Sequence, residues 1–80
     1  MTSQELHAKI QATKSFLNKE IVRNRTNSSD SKLTFREIGV KMDMIHEAER
    51  VGVRNLGEVQ NHKLTRMLSE LEKLRNVSLN

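Results

Sequence analysis

Residues 33–53 read LTFREIGVKMDMIHEAERVGV, and the spacing of their apolar members decides the fold. At about 100° per residue, Phe35, Ile38, Met42 and Ile45 fall on one side, while Val40, Met44, Ala48 and Val51 fall on another. A helix apolar on two faces needs cover on both. The flanking segments, Thr2 to Arg25 and Asn55 to Val77, are therefore expected to be the helices that supply it. The expected fold is all-α, a three-helix bundle forming a single domain over residues 1–80.

Helix starts are marked by one device, a Ser/Thr/Asn-type residue followed three positions later by glutamate, whose side chains satisfy each other's free backbone donors. Thr2 with Glu5, Thr34 with Glu37, and Asn55 with Glu58 all fit, and each precedes an apolar periodicity. They place helices near residues 3–25, 34–51 and 55–77, with a polar loop, TNSSDSK, over 26–32. Gly52 is expected to close the central helix. Gly39, in its middle, is read as permitting close helix approach. In the third helix a broad stripe of Val59, Leu64, Met67, Leu68, Leu71, Leu74 and Val77 is expected to face its neighbours.

Eighty residues with two phenylalanines and no cysteine make a marginal core that disulfides and thiolate-bound zinc do not reinforce. Self-association is the remaining reinforcement, so the bundle is expected to join a larger helical oligomer. In the first helix Leu6, Ile10, Leu17 and Ile21 form a narrow stripe, continued by Thr13 and Asn24. Phe16 and Val22 lie off it and are the residues expected to touch a partner protein or a second copy.

Catalytic chemistry is hard to place on this chain. The densest polar cluster, Asp43, His46, Glu47 and Glu49, reads as a solvated helix edge, and Glu70 and Glu72 point to different sides. Gly39, Gly52 and Gly57 follow no nucleotide-binding spacing. No catalytic residue, metal, cofactor or small-molecule substrate is expected. No apolar run reaches membrane-spanning length and no signal peptide is read at the amino terminus, so a cytoplasmic protein is expected.

Charge supplies an alternative. Between Lys9 and Arg25 the cations Lys9, Lys14, Lys19, Arg23 and Arg25 stand against one acid, Glu20, a net +4 equal to that of the whole chain. Such a basic helix fits nucleic acid as well as solvent. At the second joint, Ala48, Gly52 and Val53 resemble the turn of helix-turn-helix DNA-binding domains. The pattern is departed from where Glu47 stands in an apolar position and where Glu58 precedes Val59. The resemblance implies contacts to bases or phosphates from Arg54, Asn55, Gln60, Lys63 and Arg66. The leading expectation is thus a small non-enzymatic regulatory or adaptor protein that binds a protein partner through helix faces. A DNA-binding transcriptional regulator is the alternative.

Overall fold

A helix of 23 residues rises about 35 Å at 1.5 Å per residue, and the first helix, α1 (Ser3–Arg25), nearly matches the longest extent of the molecule, 38 Å. The computed structural model describes residues 2–27, 29 and 31–77. Within them the chain continues through α2 (Phe35–Val51), a short 3₁₀ turn (Val53–Asn55) and α3 (Glu58–Val77), with no strand among the described residues. The all-helical, three-helix reading stands. The expected loop over 26–32 includes Ser28 and Asp30, which lie outside the described residues, as do Met1 and residues 78–80 of the expected domain.

Of the three predicted reciprocal caps, one forms in full and one by half. Thr2 accepts the Glu5 amide at 3.1 Å. Thr34 and Glu37 make the complete reciprocal pair, at 3.2 and 3.1 Å, which satisfies two amides that the first turn leaves without helical partners. The third does not form. Asn55 lies in the 3₁₀ turn, where its side-chain amide donates to the Val51 carbonyl at 3.1 Å. The third helix starts at Glu58 instead of 55, behind Gly57, whose carbonyl accepts the Asn61 amide at 2.8 Å. Asparagine competes for nearby backbone groups, and here it closes the preceding helix end in place of opening the next.

The core is organised around α1. Leu6, Ile10, Thr13, Phe16, Leu17 and Glu20 are buried on it, and they meet Ile38, Ile45 and Ala48 of α2 and Leu64, Met67, Leu68 and Leu71 of α3. This corrects the premise that α2 is covered on two faces. Its first face is buried through Ile38 and Ile45, but on the second only Ala48 is buried, and Val40 is 56% exposed. Three helices offer α2 too little surface to cover both sides. Gly39 is exposed, with nothing within 4 Å of where a Cβ would stand, so it allows no close approach. Val59 and Val77, expected within the stripe of α3, are exposed.

α1 and α2 run antiparallel. Near one end Glu20 binds the backbone before α2, and farther along Lys14 Nζ reaches the Glu49 carboxylate of the last turn of α2 at 3.1 Å. Glu20 is fully buried, and its Oε1 accepts the amides of Lys32 (2.6 Å) and Leu33 (2.9 Å) while Arg23 donates to Oε2 at 2.8 Å. Beside it, Asn24 Nδ2 lies 2.7–2.9 Å from the Leu33 and Glu20 carbonyls and Ser31 Oγ. Its two protons are shared among three acceptors. Buried charge is tolerated where it is paired and hydrogen-bonded, and this cluster fixes the angle at which the chain enters α2.

Candidate functional site

The uncovered face of α2 forms one wall of a groove of about 310 Å³ shared with the joint and α3. Met44, Ala48, Leu56 and Leu64 supply its apolar lining, and its polar lining residues are Asp43 and Glu47 on α2 and Gln60 and Lys63 on α3. The shape follows from local chemistry. Gly52, at φ +94°, donates its amide to the Ala48 carbonyl at 2.9 Å and turns the chain out of α2 in a conformation open to glycine. The 3₁₀ turn then buries Val53 and leaves Leu56 partly covered at the groove's end. No polar side chain converges on the apolar lining, which favours an apolar guest over a polar one.

The rim is electrically uneven. Arg50 Nε donates to Glu47 Oε2 at 3.0 Å, and this bond to the guanidinium holds the Glu47 carboxyl below its ordinary range. The Asp43 and Lys63 side chains are exposed and make no hydrogen bond or ion pair among the described residues. The acidic edge therefore belongs to α2 and the basic edge to α3.

The residues predicted to contact a protein partner separate in space. Phe16 is 5% exposed and packs in the core, so the expectation that it faces a second chain is corrected: it widens the buried stripe of α1 toward its neighbours. Val22 is 58% exposed. Neither lines the groove. Sequence reasoning missed Met44, Ala48, Leu56 and Leu64 as a site, although it had placed Met44 and Ala48 on a common face needing cover.

The predicted nucleic-acid contacts are dispersed. Lys9 reaches Glu72 at 4.0 Å, Lys14 reaches Glu49 at 3.1 Å and Arg23 reaches Glu20 at 2.8 Å, so acids from all three helices stand against α1's cations. Lys19 and Arg25 are exposed. Arg66 pairs with Glu70 at 3.5 Å, Asn55 is held by Val51, and Gln60 and Lys63 line the groove. Arg54 is exposed on the 3₁₀ turn. The joint from Gly52 to Gly57 is also longer than the three or four residues usual in a helix-turn-helix.

Two acids of the cluster noted in the sequence are paired with cations, Glu47 with Arg50 and Glu49 with Lys14, while Asp43 is not. Among the described residues no group of three His, Asp or Glu side chains is placed to hold a metal ion, and no helix is long and apolar enough to cross a membrane. Comparison with known proteins finds no family, characterised sequence or solved structure that matches this chain.

Proposed function

We propose that this chain is a non-enzymatic regulatory or adaptor module that binds a protein partner in the groove between α2 and α3. The observation that carries the reading is the second apolar face of α2. Met44 and Val51 on it are only partly buried and Val40 is exposed. Surface apolar residues scattered singly need no explanation. Met44 and Leu56, both partly exposed and brought together in one groove, fit a binding surface.

The test is affinity purification from the native host, with and without nuclease, using the wild-type chain and Asp43→Lys. Asp43 lines the groove and is exposed, so the change is accommodated without unfolding. A nuclease-resistant partner lost on Asp43→Lys supports the reading; recovery of nucleic acid that survives Asp43→Lys favours the DNA-binding alternative.

Self-association is a second reading, favoured by the exposure of Val22 and Phe35 at 58% and 53%. It predicts an unfolding midpoint that rises with protein concentration. A midpoint constant over a hundredfold dilution with a monomer mass in light scattering removes it.

A further inference from the structure

We propose that a second groove, between α1 and α3, holds the sugar–phosphate backbone of a nucleic-acid duplex without reading its sequence. This goes beyond the protein-binding reading, and the two grooves share no lining residue. The second groove measures about 430 Å³, and every residue lining it is polar: Lys9 of α1 faces residues of α3 from His62 to Lys73. His62, Arg66, Ser69 and Lys73 recur at four, three and four residues, which puts them along one side of α3. Three cations, Lys9, Arg66 and Lys73, stand there against one lining carboxylate, Glu70. At 1.5 Å per residue the row from His62 to Lys73 runs about 16 Å, long enough to follow successive phosphates of one strand.

The partners these side chains already have decide what they accept. The side chains of His62, Ser69 and Lys73 are exposed and make no hydrogen bond or ion pair among the described residues, so an imidazole N–H, a hydroxyl and an ammonium are open to phosphate oxygens. Thr65 is different: its hydroxyl donates into its own helix, with the Asn61 and His62 carbonyls both at 3.0 Å. Arg66 meets Glu70 only at 3.5 Å, and Lys9 meets Glu72, beside the groove, only at 4.0 Å, with all four side chains well exposed. Such pairs hold weakly and give way to a phosphate. A protein partner finds no apolar anchor in this lining. A single strand finds no aromatic ring on which to stack its bases, and a flat anionic membrane does not enter a concave groove. A duplex backbone asks only for cations and donors, and its phosphates carry no sequence information. Contact of this kind is micromolar or weaker near physiological salt and is lost in purification, which sets it apart from the sequence-reading DNA-binding alternative.

The probes are two DNA duplexes of unrelated sequence, one of their single strands, and phosphatidylserine vesicles, each titrated with the full chain at low salt. The two duplexes should bind alike, and more tightly than the single strand or the vesicles. Log affinity for a duplex should fall against log salt with a slope of about −2.7, roughly 0.9 for each of three phosphates neutralised. Lys73→Gln should make that slope shallower by about 0.9, and Glu70→Gln, which removes the competing carboxylate, should tighten binding. Arg36→Gln, at an exposed cation of α2 outside the groove, should leave the slope unchanged. All three positions are exposed, and an unchanged helical dichroism spectrum verifies that the variants fold. Equal losses from Lys73→Gln and Arg36→Gln overturn the groove and leave net charge alone acting. A single strand or vesicles bound as tightly as the duplexes, or a slope near zero, overturns the duplex backbone as its occupant.

Discussion

Glu20 Oε1 accepts a hydrogen bond from the Leu33 amide at 2.9 Å, joining the last turns of α1 to the residue before the cap of α2, with Glu20 fully buried and Leu33 7% exposed. Removing the carboxylate leaves the Leu33 amide buried without this acceptor, along with the Lys32 amide. Glu20→Ala is expected to cost about 3 kcal/mol, the scale of a charge-assisted bond plus a stranded buried donor. Glu20→Gln keeps an acceptor for the amides but not the charge opposite Arg23, so it should lose less. Urea unfolding of the two variants checks the order, and equal losses would contradict it.

Phe16 and Val22 should respond very differently to truncation. Phe16→Ala empties part of the core and should cost about 3–5 kcal/mol. Val22→Ala, at an exposed position, should stay within about 0.5 kcal/mol. Thermal or denaturant midpoints read both.

The glycines offer a similar pair. Gly52 has φ +94°, and an added Cβ there also meets Asn55 Nδ2 at 3.2 Å, so Gly52→Ala should destabilise by about 1–2 kcal/mol. Gly39 sits mid-helix beside open space, and Gly39→Ala should stabilise by about 0.5–1 kcal/mol through helix propensity alone. A loss at Gly39 would mean that something covers that side of α2.

Acid should weaken the start of α2. The Thr34 backbone N–H, followed by its side chain, holds the Glu37 carboxyl below its ordinary value. A carboxyl depressed in the folded state stabilises above its unfolded-state titration range, and that contribution is lost as pH falls through the folded value. Glu37→Gln should make the decline of stability in this acidic window shallower, while the variant remains folded at neutral pH. An unchanged profile would remove Glu37 from the acid response.

Elements were more legible in the sequence than their roles. Helical periods and the Thr2 and Thr34 caps are local signals, and local signals place α1 and α2 to within about a residue. Which helix lies at the centre is a tertiary matter: the pattern on α2 shows two apolar faces but not that one stays open. Glu20 illustrates the same limit, since it reads as one acid among cations until Lys32 and Leu33 turn their amides toward it. Asn55 fits a cap by type and spacing, yet its side chain is taken by Val51. The groove was half visible in Met44 and Ala48, while Leu56 and Leu64 come from sequence positions that only the joint brings alongside.

The glycine start of α3 gives the groove a built-in give. Gly57 offers no side chain to hold the first amides; Gln60 Oε1 reaches back only to 3.5 Å from the Gly57 amide, and Glu58, Val59 and Gln60 are all exposed. A first turn so lightly held opens locally at little cost, ahead of the rest of the helix. Gln60 lies in that turn and Lys63 and Leu64 follow directly, so the spacing of one groove wall is set by a segment able to fray and re-form around its guest. An occupant of the groove should therefore leave its mark as slowed amide exchange at residues 58–61, with little change near Ile45, where the core is already closed.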